Sequence, residues 1–165
     1  RPRRIDGLDG VILSPFLHLG FGHLIANTVP FVVLGGAICL SGATQFLSVT
    51  AIVGVVGGLG TWLTGGSNTL VVGASGLVFG YLLYLITRGL FARNIVYLLG
   101  GVVVIAVYGS VLWGVLPRPG ISWQGHVFGG LGGVAAASLL HGDHGDHGHR
   151  GLDAQEPPAG GRRLS

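Results

Sequence analysis

Acidic residues are missing from most of this chain. Between Asp9 and Asp143 there is neither aspartate nor glutamate, and the only formal charges in that stretch are Arg88, Arg93 and Arg118. Charged residues make up 9% of the 165 residues, against about a quarter in a soluble globular domain. So few charges cannot cover a chain that is 49% apolar, so the apolar surface is expected to face lipid. The missing carboxylates also exclude chemistry. An aspartyl intramembrane protease needs two acids within its spans, and a membrane zinc protease needs His-Glu-x-x-His. Most proton-coupled carriers need a buried carboxylate, which disfavours a transporter.

Lysine and methionine are absent and cysteine occurs once. The nine basic residues are all arginines, gathered at Arg1 to Arg4, at Arg88 and Arg93, and at Arg150 to Arg163, with Arg118 standing alone. With no lysine or aromatic residue interleaved, they read as topology signals and not as a nucleic-acid patch. A chain that begins with Arg1 and has no methionine is expected to be processed or a fragment, and its start carries no signal-peptide pattern. Cys39 has no disulfide partner and no activating neighbour in the sequence, so an inert core residue is expected.

What is present is a series of apolar runs of membrane length, at about 23–40, 46–64, 75–92, 95–116 and 124–140. Turn-rich separators divide them, among them Ser41 to Gln45, Gly65 to Thr69 and Pro117 to Gly120. The expectation is an all-α polytopic transmembrane bundle of five spans. Residues 1–22, broken by Gly7, Gly10, Pro15, Gly20 and Gly22, precede it as an extracytoplasmic, interfacial or re-entrant loop. The tail 141–165 follows as a solvated, disordered segment. Its His/Gly/Asp pattern has metal-binding chemistry but no fixed geometry to select a metal, so no metal or cofactor is expected. A cytoplasmic tail places Arg88, Arg93 and Arg150 inside, as the excess of arginine in cytoplasmic loops requires. Arg1 to Arg4 then fall outside. That conflict, with the odd number of spans, suggests a helix lost from the N-terminal side.

The 33 glycines lie largely inside the apolar runs and show no collagen period. Gly125, Gly129, Gly133 and Ala137 recur every four positions in the last span, and Gly76 and Gly80 do so in the third. Small residues on one helix face let two backbones approach closely in lipid. These two helices are predicted to cross in contact.

Polar residues inside apolar spans are costly unless paired or facing a cavity, and here they are few: His18, His23, Asn27, Ser75 and His126. His23 and Asn27, four apart, share a helix face, where a hydrogen bond between helices would also account for them. Gly73-Ala74-Ser75-Gly76 is a weak motif alone, and it lacks the second glycine of the nucleophile elbow of soluble hydrolases. Ser75 and His126, however, open the two helices predicted to touch, on the same membrane side. A serine becomes nucleophilic when a histidine within hydrogen-bond reach removes its proton. Donors at that depth, with the Ser75 amide at a helix N-terminus, suit an oxyanion.

Taken together, His18, His23 and Asn27 in His-x4-His-x3-Asn, then Gly73-x-Ser75-Gly76, then Gly125-His126-x2-Gly129-x3-Gly133 resemble the rhomboid intramembrane serine proteases. The resemblance implies Ser75 as nucleophile, His126 as general base, and His23, Asn27 and the Ser75 amide as oxyanion donors. It implies a structural role for His18 in bracing the loop before the first span here, and supporting roles for Gly73, Gly76, Gly129 and Gly133. Phe79 stands where the family commonly has a tyrosine that stacks on the catalytic histidine, so the stacking face is retained and the hydroxyl lost. The Trp-Arg pair common in the family's first extracytoplasmic loop is missing from residues 7–17. Rhomboids commonly have six core helices, which identifies the absent element as the first. The expected activity is cleavage of single-pass transmembrane substrates near the extracytoplasmic boundary, by a multi-pass protein of the plasma membrane with a cytoplasmic C-terminus. The alternative is a catalytically silent rhomboid-like protein that captures membrane clients.

Overall fold

A computed structural model describes residues 1–67, 69–92, 115–117 and 120–140, together with positions 95, 99, 102, 103, 105 and 106. The predicted span 95–116 lies largely outside the described residues, as do Arg93, Arg118 and the tail 141–165. Short helical turns at Ile5–Gly7 and Ser14–Phe16 flank a four-residue helix α1, Gly10–Leu13. Then follow the long helices α2, Phe21–Cys39; α3, Ala43–Thr64; α4, Ser75–Ala92; and α5, Trp123–Leu139.

Helices α2 and α3 are long and apolar enough to cross a bilayer, and only 28% and 22% of their apolar windows are buried inside the bundle. A core helix of a soluble protein would hide most of that surface. Here Leu24, Ile25, Val32, Leu47, Val55 and Leu63 stand exposed, as lipid-facing side chains do. The protein is a helical membrane protein.

Helix α4 is the hub. Leu77, Val78, Phe79, Tyr81, Leu82, Tyr84 and Leu85 are all buried, which is a helix apolar on every side and therefore surrounded. It packs against α2, α3 and α5. Around Tyr81 and Tyr84, both 0% exposed, cluster Leu34 and Ile38 of α2, Val49 and Val53 of α3, and Ala136 and Ala137 of α5. Both phenols find partners. Thr50 Oγ1 lies 2.8 Å from Tyr81 Oη, and Gln45 Nε2 and Arg88 Nη1 donate to Tyr84 Oη over 2.7 and 2.6 Å. Tyr84→Phe leaves two donors without this acceptor. The expected loss is about 1–3 kcal/mol of stability, read as a lower unfolding temperature in detergent.

The boundaries differ from the predicted ones at helix starts. α2 begins at Phe21 and α3 at Ala43, two and three residues before the apolar runs, because Gly20 and Gly42, at φ of +151° and +109°, make the break. Thr44 and Gln45, polar enough to read as a separator, form the first turn of α3. Cys39 corrects an expectation: it is exposed, not in the core. Ile38 is fully buried, and one residue further turns the helix by about 100°.

The glycine ladder packs as predicted and does more. A Cβ on Gly129 would collide with the Gly76 carbonyl, and one on Gly133 with the Gly80 carbonyl, so α4 and α5 touch backbone to backbone. A Cβ on Gly132 would lie 2.9 Å from Val53 Cα, and one on Gly57 3.3 Å from Gly129 Cα. α5 is thus wedged between α4 and α3.

Residues 1–16 lie against the outer part of α3. Arg3 N donates to Trp62 O and Trp62 Nε1 to Arg4 O, both over 3.0 Å. The Val11 carbonyl occupies the space a side chain on Gly58 would need. Trp62 thus ties the N-terminal segment to α3 through both its backbone and its indole. Arg4 also pairs with Asp6 at 2.9 Å and, by hydrogen bonding, holds its carboxyl below the usual carboxylate range. The pair is solvent-exposed and adds little stability.

Candidate active site

Ser75 is the first residue of α4, so its amide is one of the N-terminal donors no helical carbonyl satisfies. Gly73 sets that entry. Its φ is +109°, and a Cβ there would lie 2.7 Å from His23 Cε1, so backbone conformation and space both require glycine. Its N–H donates to Ser14 O over 2.9 Å, which ties the loop ahead of Ser75 to the N-terminal segment.

His126 lies in the first turn of α5, a helix capped by Ser122, whose hydroxyl accepts from Gly125 N at 3.4 Å. The ring is 7% exposed. Its Nε2 stands 2.8 Å from Ser75 Oγ, joining side chains 51 residues apart in sequence. Phe79, one turn beyond Ser75, stacks on the imidazole with centroids 4.3 Å apart and planes inclined by 11°. An aromatic face thus restrains the ring.

His23 and Asn27 reach the same place from α2. Besides the His23 contact, Asn27 Nδ2 lies 3.6 Å from where a Cβ on Gly73 would be, so both abut the loop two residues before Ser75. Asn27 is 5% exposed and donates one amide hydrogen to His23 O over 2.9 Å, which leaves the other available. His18 meets His23 edge to face at 5.4 Å. Its Nε2 is buried with no hydrogen-bond partner among the described residues, so its link to the site is the ring contact. Gly76 and Gly129 hold the two helices together at the level of the Ser75–His126 pair, and Gly133 does so one turn further on.

Ser75, His126, His23 and Asn27 line one cavity of about 540 Å³. All four therefore converge. Nothing in the sequence analysis pointed to two further polar residues on the cavity wall, Thr61 and Ser122. A signal for Thr61 existed: Val49, Val53, Gly57 and Gly60 mark the buried face of α3, and Thr61 is the polar residue among them. Among the described residues no three histidine, cysteine or acidic side chains gather as a metal site. A serine hydroxyl on an imidazole nitrogen, with amide and imidazole donors beside it, has the parts for acyl transfer.

Comparison with known proteins identifies the family. The family model for the Rhomboid domain matches residues 7–143. An uncharacterized protein of Mycobacterium tuberculosis is 48% identical over 149 residues, 85% of this chain and 62% of that protein. One of Mycobacterium leprae is 46% identical over 146 residues, 83% of this chain and 58% of that one. A Bacillus subtilis protein named "Putative rhomboid protease YdcA" is 28% identical over 130 residues, 78% of this chain and 65% of its own length. The chain spans about 62% of the Mycobacterium tuberculosis relative's length. With its helical bundle and the family model matched over most of its length, the chain belongs to the rhomboid family.

Proposed function

We propose that this protein is an intramembrane serine endopeptidase that cleaves single-pass transmembrane proteins near the extracytoplasmic boundary. Ser75 Oγ attacks the scissile carbonyl while His126 Nε2 takes its proton. The resulting oxyanion is met by the Ser75 amide, His23 and Asn27. His126 then gives the proton to the leaving amine, the peptide C–N bond breaks, and an acyl-Ser75 ester remains. Water, deprotonated by His126, attacks the ester, releases the acid product and restores the Ser75 hydroxyl. A substrate helix has to unwind locally first, because its own hydrogen bonds hold its carbonyls. The surrounding protein is multi-pass in the plasma membrane with its C-terminus in the cytoplasm.

The observation that carries this reading is the 2.8 Å contact between Ser75 Oγ and His126 Nε2. Covalent labelling tests it. The full-length protein in membranes is expected to take up a fluorophosphonate probe on Ser75, and His126→Ala to abolish labelling. A wild type that stays unlabelled would instead support a silent client-binding protein. Asn27→Ala removes one donor of three, for which a kcat loss of about 10²–10³-fold is expected, with probe labelling weakened but not abolished.

A further inference from the structure

His18 Nε2 is the one buried side-chain nitrogen or oxygen among the described residues that finds no hydrogen-bond partner. In a neutral imidazole one ring nitrogen donates and the other accepts, so burial leaves this atom unsatisfied in either form. Such a group is unfavourable until a water or a neighbouring polar atom meets it. The ring that His18 meets is His23, edge to face, with centroids 5.4 Å apart and planes inclined by 66°. Two hydrogen bonds in series through one water span roughly 5 Å, which is the scale of that separation.

His23 has a requirement that His18 is placed to meet. Its Cε1–Nε2 edge lies against Gly73, and its ring lines the cavity with Ser75 and His126. To donate to an oxyanion there, Nε2 has to carry the proton, which leaves Nδ1 as a bare acceptor. Which nitrogen of an imidazole is protonated is set by the hydrogen bond that the other one makes. The amide hydrogen that Asn27 gives His23 goes to the backbone carbonyl and leaves the ring untouched. His18 is not among the described residues that line the cavity, so any part it plays in the chemistry passes through a neighbour.

We propose that His18 is a positioning residue: its Nε2–H donates, through one buried water, to His23 Nδ1 and holds His23 in the tautomer whose Nε2–H faces the oxyanion. The proposal rests on the protease reading above, in which His23 is an oxyanion donor. One bridge satisfies the His18 nitrogen and fixes the proton of His23. Bracing the loop before α2 needs only the ring of His18, whereas this role needs its nitrogen. The two roles are therefore separable.

Two variants of the full-length protein in liposomes separate them. His18→Phe keeps a flat ring against His23 and removes the nitrogen, while His18→Gln gives up the ring and returns an amide nitrogen near the place of Nε2. His18→Phe is expected to lower kcat about 10–100-fold, the range seen where a hydrogen-bond partner fixes the tautomer of a functional histidine, with KM and the unfolding temperature unchanged. His18→Gln is expected to recover most of that kcat. In a His23→Ala background there is no tautomer to fix, so His18→Phe should cost nothing further. If His18→Gln does not fold, this cycle decides alone. A His18→Phe protein with the wild-type kcat overturns the proposal. So does a loss that tracks a lower unfolding temperature and is not recovered by His18→Gln, which is bracing alone, and so does a loss of equal size in the His23→Ala background. A wild type that cleaves nothing overturns the protease reading and the positioning role with it.

Discussion

Ser75→Ala is expected to lower cleavage of a transmembrane substrate by roughly 10⁴–10⁶-fold, and His126→Ala to fall to a similar floor. The reason is mutual dependence. Without His126 the Ser75 hydroxyl keeps its proton, and without Ser75 the imidazole has nothing to activate. Combining the two changes should therefore lose little beyond either alone, where independent contributions would multiply. The measurement is the cleavage rate of a model single-pass substrate by the full-length protein in liposomes. Sustained cleavage by either single variant sinks the proposed mechanism. Equal, additive losses in the double variant would show that the two side chains act separately despite their 2.8 Å contact.

Gly129→Ala should produce the second largest effect, although residue 129 carries no reactive group. A Cβ there would collide with the Gly76 carbonyl, and backbone cannot rotate aside as a long side chain can. The contact lies next to Ser75 on α4 and one turn from His126 on α5, so separating the helices moves nucleophile from base. A displacement of about 1 Å at reacting groups can cost about 10²-fold in rate, and overpacking itself about 1–3 kcal/mol of stability. Gly36→Ala in α2 is the control: nothing lies within 4 Å of a Cβ there, and alanine favours the helix by about 1 kcal/mol. Cleavage by Gly129→Ala at the rate of Gly36→Ala would show that the glycine contact does not position the pair.

The four long helices α2 to α5 and the crossing of α4 with α5 were legible because both depend on local pattern. A run of apolar residues reports a helix in lipid, and a four-residue glycine repeat reports a smooth face. His23, Asn27, Ser75 and His126 were legible because polar groups are rare where solvation is absent. Thr61 escaped notice because a threonine in a helix usually satisfies itself on its own backbone, as Thr50 and Thr64 do. The role of α3 was also hidden. Its glycines Gly57 and Gly58 face two different partners, α5 and the N-terminal segment, and spacing within one helix cannot name the neighbour it will meet. Cys39 was misplaced for a related reason: hydropathy around a residue does not say which way it faces.

By itself the sequence determined the medium and the chemical inventory. Too few charges for a water-facing surface require lipid, and the absence of acids from residue 10 to 142 leaves serine and histidine as the available pair. Only the tertiary structure decided that the pair meets. Their encounter depends on three conditions distant in sequence: glycine backbones of α4 and α5 in contact, Phe79 stacked on His126, and a left-handed Gly73 with the edge of His23 against it. Each is a matter of distances set by packing, and packing is a property of the assembled bundle, not of any single helix.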